Sequence, residues 1–268
     1  MKLWIKISLW SIFFIGLIVL GVYINDSLKQ QEVPKPEIIV HVNGENAFIT
    51  SDEFLDRLWN ERLIYEGQIR EDLDIEAIEA FILGISQVKE AEVFRKIDGS
   101  WKVDVTLRNP IARIYNLAGE NFYLDDEGFV VETIPSHTAR VLVVTGEIDD
   151  RISSISVPEI INNDSLISIR NLDDIYRISN YVCKDPLFRS LIGQLHLKKN
   201  GDFVLIPLVG DQKIIFGSAR SDEDVEEKFK KLKIFYEEAM PYEGWDAYTE
   251  ISLKFKDQVV CKKKETNE

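Results

Sequence analysis

At 268 residues, 45% hydrophobic and 29% charged, the chain is long and apolar enough to bury one or two ordinary cores, which excludes wholesale disorder. Its formal net charge is −14, from 46 acidic against 32 basic residues. Such a surface repels a polyphosphate backbone and gains nothing from counterion release, so nucleic acid is excluded as a partner.

The apolar run Ile7 to Ile24 contains no charged residue and nearly crosses a hydrocarbon core about 30 Å thick. A removable signal peptide shares the basic start, but residues 21–25 offer no small-x-small cleavage pattern, and the reading adopted is a retained single-pass membrane helix over 7–24. Lys2 and Lys6 precede the span, and Asp26 with one lysine, Lys29, follows it, which puts the short segment 1–6 in the cytoplasm and the bulk of the chain in a bacterial periplasm. Residues 25–37 form a linker whose end, QQEVPKPE, has two prolines and little to bury, as in an extended spacer.

A first small domain is expected over 38–109. Ile38 to Val42 reads as a strand, Thr50 or Ser51 caps a helix with the stripe Phe54, Leu55, Leu58 and Trp59, and Asp74 opens a second helix that Gly84 stops. Two strands, Val88 to Ile97 and Trp101 to Leu107, flank the turn Asp98-Gly99, and Trp101, Val103, Val105 and Leu107 alternate with period two. The order β-α-α-β-β suits a three-stranded sheet covered by two helices.

A second domain is expected over 110–261, with a basic, polar tail over 262–268. Strands are read at Arg140 to Thr145, Gln194 to Lys198, Phe203 to Leu208 and Lys213 to Phe216. Leu172 to Cys183 gathers Ile175, Ile178, Ser179 and Val182 on one helix face, and Ser221 caps a helix with Val225, Phe229, Leu232 and Tyr236 in line. The organisation of residues 149–168 is left open. The fold class is therefore α+β: a transmembrane helix, a β-α-α-β-β domain, and a mixed, largely antiparallel β domain with flanking helices.

Chemistry-bearing constellations are missing from the sequence. His41, His137 and His196 stand at no ligand spacing, and the phosphate-cradle, dinucleotide and nucleophile-elbow motifs do not occur. Adjacent carboxylates at Asp125-Asp126, Asp149-Asp150 and Asp173-Asp174 are what an acidic composition produces, and Asp125-Asp126-Glu127-Gly128 reads as a turn. Cys183 and Cys261 are left as either a disulfide or two free thiols. No catalytic residue, metal, cofactor or small-molecule substrate is expected, and the chain is read as non-enzymatic.

The β-α-α-β-β order after an anchor and a spacer resembles the POTRA module. Arg108-Asn109-Pro110-Ile111-Ala112, then FYLDDEGFVV, then Phe203 to Gly217 with the helix from Asp222, and finally Ile251-Ser252-Leu253-Lys254-Phe255 with Gln258-Val259-Val260, resemble the FtsQ/DivIB family of bacterial cell-division proteins. The chain departs from that family's pattern at Ser252, where Asp is frequent, and at Lys254 and Phe255, where Arg and Tyr are frequent. The resemblance implies a divisome scaffold for septum assembly, seated in the inner membrane at the division septum. Its implied partners are small coiled-coil division proteins of the FtsB/DivIC and FtsL type, with the septal wall synthase as a further one. They would be received by a C-terminal edge strand through Tyr248, Ile251, Leu253, Lys254, Phe255, Gln258, Val259 and Val260, where Lys254 meets an acid and Phe255 fills an apolar pocket. The alternatives are a POTRA-bearing transport or chaperone-like protein that binds β-strand clients, and a membrane-tethered cell-wall hydrolase.

Overall fold

A computed structural model describes residues 2–44, 48–96, 98–153, 156–167 and 169–264. Ile97, Ser168 and the end of the expected tail, 265–268, lie outside the described residues. The chain folds into two compact units, one from Met1–His41 and Ile49–Thr106, the other from Val42–Phe48 and Leu107–Glu268.

In the first unit, helix α1 runs over Lys2–Lys29, longer at both ends than the apolar run, and its Trp10–Lys29 stretch is apolar enough to cross a membrane. The proline-containing segment after it is extended. It is also tied down rather than free: Val33 N–H donates to the Gln68 carbonyl (2.8 Å), Arg70 N–H to the Gln31 carbonyl (3.0 Å) and the Trp101 indole to the Pro34 carbonyl (2.8 Å). The prolines donate nothing to a ladder, so side chains and loop amides supply the attachments.

Strand β1 (Glu37–His41), helices α2 (Ser51–Asn60) and α3 (Ile75–Leu83), and strands β2 (Val88–Arg95) and β3 (Trp101–Leu107) follow. Their sheet has the order β1-β3-β2, with β1 parallel to β3. Thr50, not Ser51, caps α2, in a capping box with Glu53. Asp74 caps α3 through the Ala77 amide, and Gly84 ends it with a right-handed φ of −73°, so the stop needs no left-handed residue. Phe54, Leu58, Ile78 and Ile82 are buried against a sheet whose Trp101, Val103, Val105 and Leu107 all point inward, while Trp59 of the expected stripe is exposed.

The second unit is one nine-stranded sheet with helices packed on it. Its strands are β4 (Pro110–Tyr115), β5 (Asn121–Asp125), β6 (Val130–Glu132), β7 (Leu142–Gly146), β8 (Ile192–Leu197), β9 (Phe203–Pro207), β10 (Lys213–Gly217), β11 (Tyr248–Ser252) and β12 (Val260–Lys263). The order is β12-β11-β10-β9-β8-β7-β4-β5-β6, antiparallel except at β4–β7, β7–β8 and β10–β11. Helices α4 (Val157–Ile161) and α5 (Asp164–Ile167) occupy the stretch whose organisation the sequence leaves open, and α7 (Pro186–Leu191) follows α6 (Leu172–Lys184) at once. Helix α8 (Asp222–Ile234) continues through a wider, π-helical turn at Phe235–Ala239 into α9 (Met240–Glu243).

The carboxylate pairs are structural. Asp125, Asp150 and Asp173 are fully buried and each faces an arginine, at 2.7 Å from Arg108, 3.5 Å from Arg170 and 3.0 Å from Arg177. Arg177 Nη1 also reaches Asp174 (2.8 Å) and the Ala219 carbonyl (3.1 Å). Burial, and then the neighbouring Asp173 charge, push the Asp174 carboxyl up to about 6. A raised folded-state value means that this group's contribution is fully present below the ordinary carboxylate range and lost as pH rises through about 6. Asp174→Asn is therefore expected to stabilise the chain at pH 7 by on the order of 1–2 kcal/mol, with the gain vanishing toward pH 4. Melting curves at the two pH values check it, and a gain independent of pH would contradict the assignment.

Candidate partner-binding edge

The C-terminal part of the sheet is built on α8. Ser221 caps this helix by accepting from the Asp224 amide, and Asp222, Glu223 and Asp224 sit at the positive end of its dipole. Val225, Phe229, Leu232 and Tyr236 are buried in one core cluster with Ile214, Phe216, Ile251 and Leu253. Phe229 lies at its centre, stacked on Tyr181 (4.4 Å between centroids, 2° between planes) and 4.8 and 5.1 Å from Phe188 and Phe216.

Pro241 explains the wide turn that follows, because proline has no N–H for the i−4 bond and its ring clashes with the Glu237 carbonyl. The turn sets Phe235 beside Tyr248 of β11 (5.7 Å) and Tyr236 beside Trp245 (5.6 Å). Tyr242 is 90% exposed and Trp245 about half so, leaving aromatic surface next to the last two strands.

Strand β11 is internal. It pairs in parallel with β10 (Ile214↔Ile251), and the Leu253 amide extends that ladder to the Ile215 carbonyl (2.9 Å). Its other side pairs with β12 through Ser252↔Val260, Ile251↔Cys261 and Glu250↔Lys262. Strand β12 is thus one of the two terminal strands of this sheet, with β6 at the far end, and one row of its backbone groups faces no other strand among the described residues. Lys262 and Lys263 belong to it, two residues into the stretch expected as tail. Short length and lysines are common on edge strands, because they discourage indiscriminate pairing.

The eight residues singled out in the sequence fall into three environments. Ile251 and Leu253 are fully buried core residues, and Tyr248 is half-buried against Phe235. Lys254, Phe255 and Gln258 lie exposed in the connection between β11 and β12, and Val259 is half-buried. Val260 alone is on the edge strand, and it is exposed. Lys254 has an acid within the chain: its Nζ lies 2.7 Å from Asp202, and its alkyl stem covers Gly217, whose φ of +81° suits a residue without Cβ. Burial raises the Asp202 carboxyl, but the Lys254 and Asn200 hydrogen bonds outweigh it and hold the carboxyl below the ordinary range. Phe255 is 48% exposed, and its carbonyl accepts from Lys231 Nζ (3.0 Å).

Inner-edge attachments keep β12 in place: Thr249 Oγ1 donates to the Lys262 carbonyl, Lys264 N–H to the Ala247 carbonyl, and Lys263 pairs with Glu243 at 3.1 Å. Burial pushes the thiols of Cys183 and Cys261 up, and both are free. Among the described residues no group of His, Cys, Asp and Glu comes together to hold a metal ion.

A search of curated proteins gave no match. A family model described as "FtsQ/DivIB, C-terminal related" matches residues 109–262, more than half of the chain.

Proposed function

The chain belongs to the FtsQ/DivIB C-terminal related family and has a role in cell division, and from that premise we propose that it is a membrane-anchored, non-catalytic scaffold of septum assembly. Helix α1 holds it in the inner membrane with its N-terminus in the cytoplasm. The first unit is a POTRA-like module, and the second captures division proteins of the FtsB/DivIC and FtsL type. The observation that carries this reading is the open outer side of β12, where a partner strand gains main-chain hydrogen bonds on one side of an already ordered sheet. Phe255 and Val260 add apolar contact beside it, and Lys254 turns from Asp202 to a partner acid.

Removing β12 by ending the chain at Gln258 is expected to weaken capture of the FtsB/DivIC-type partner more than tenfold in pull-down titrations. The fold should survive, since Val260, Lys262 and Lys263 are exposed and only the half-buried Val259 and Cys261 are lost from the margin of the core. Undiminished capture by the shortened chain would move the interaction elsewhere.

A further inference from the structure

Where α1 leaves its apolar run, the first unit carries a cleft of about 370 Å³. Its walls hold four cationic residues, Lys29, Arg70, Arg95 and Lys96, against one acid, Glu71, in a chain whose net charge is −14. Leu28, on the α1 side of the cleft, is exposed and apolar.

We propose that this cleft binds the phosphate headgroup of an anionic phospholipid on the face of the bilayer where α1 emerges. Lys29 follows Ile24 by five residues, so at 1.5 Å per residue it sits about 7 Å beyond the end of the apolar run, the thickness of one headgroup layer. The cleft is also held at that depth. The Glu71 amide donates to the Lys29 carbonyl (3.2 Å) and Lys29 Nζ lies 3.3 Å from Glu71, so the loop between α2 and α3 is attached to the helix end itself.

Arg70 supplies the unspent charge. Lys29 is paired with Glu71, Lys96 with Glu37 (2.6 Å), and Arg95 donates to the Leu73 carbonyl, but the Arg70 Nε is buried with no hydrogen-bond partner. Its guanidinium lies flat against Gly99, at φ +84°, where any Cβ would collide with it. A guanidinium so placed offers a planar donor fork that matches a phosphate.

The inference rests on α1 crossing a bilayer and needs nothing from the sheet edge. The full chain, reconstituted in vesicles of mixed phosphatidylcholine and phosphatidylglycerol, is released into detergent and its retained lipids are counted by native mass spectrometry. Phosphatidylglycerol is expected to be retained several-fold over phosphatidylcholine. Arg70→Gln and Arg95→Gln should each cut that preference roughly fivefold, the effect of one cation near an anionic surface. Arg70→Lys, which keeps the charge but not the planar fork, should preserve part of it, separating charge from any loss of fold. Equal retention of the two lipids, or an unchanged preference in Arg70→Gln, would overturn the proposal. Displacement of the lipid by millimolar inorganic phosphate would overturn it in favour of a free-anion site. A chain that washes out of the vesicles at alkaline pH fails as an anchored protein, whereas an inserted chain without lipid preference fails here alone.

Discussion

Phe229→Ala is expected to destabilise the second unit by about 3–5 kcal/mol, the range for deleting a buried phenylalanine. The ring has no exposed surface and contacts three other aromatic rings from α6, α7 and β10, so the space it vacates cannot be closed by moving one neighbour. For a unit of this size the loss corresponds to a fall in Tm of roughly 6–20 °C, read by calorimetry on the detergent-solubilised chain. The consequence for the edge follows from position. Two residues beyond Phe229, Lys231 holds the Phe255 carbonyl, and Phe235 on the same helical run packs on Tyr248, so loosening α8 loosens both strands at the open end of the sheet. A loss under about 1 kcal/mol would show that the cluster repacks, and α8 would then lose its standing as the support of that edge.

Much of this support was legible in the sequence because a helix face repeats. Val225, Phe229, Leu232 and Tyr236 fall at intervals of three or four and are all buried, and the alternation of Trp101, Val103, Val105 and Leu107 has the same directness for a strand. Short helices carry no such repeat. Helices α4 and α5 are each about one turn long, and the signs that α4 left were local ones, Ser156 three residues ahead of Glu159 and Pro158 in the first turn. Helix α7 hid in the same way behind Asp185-Pro186, where Asp185 caps it through the Leu187 amide.

The candidate edge was legible only to within one strand. Ile251 and Leu253 carry the apolar alternation, and that alternation marks an internal strand, because both side chains are buried and the backbone is paired on both sides. The strand that closes the C-terminal side of the sheet, β12, reads Val-Cys-Lys-Lys, and its lysines disguise it as tail. The composition that protects an edge in solution also removes the pattern by which a strand is found. Pro241 was the visible sign of the wide turn, but which aromatic rings it would bring beside β11 depends on tertiary packing and has no local signature.

The burial of the acids was hidden for a related reason, since carboxylates are so common in this chain that nothing sets the buried member of an adjacent pair apart from the solvated ones. Arg108→Ala tests what one of them does. Asp125 accepts from the Glu127 amide (3.0 Å), the Phe129 amide (2.6 Å) and Arg108 (2.7 Å), and the guanidinium also lies 4.4 Å from the Phe129 ring. This is the turn between β5 and β6, closed by Gly128 at φ +84°, where an added Cβ would strike Val157 of α4. Truncating Arg108 leaves a fully buried carboxylate without its cation, which costs about 3–5 kcal/mol where such pairs have been broken. Burial already raises the Asp125 carboxyl above its ordinary value, with Arg108 and the two amides opposing the rise, so the variant raises it further. Protonation then relieves the defect. The deficit of Arg108→Ala is expected to be largest at pH 7 and to shrink as pH falls through the raised value toward the ordinary carboxylate range, whereas Arg108→Lys should keep part of the stability at neutral pH. Denaturant titrations at pH 7 and pH 5 read both, and a deficit that is the same at the two values would mean that the arginine acts through its stacking on Phe129 and not through its charge.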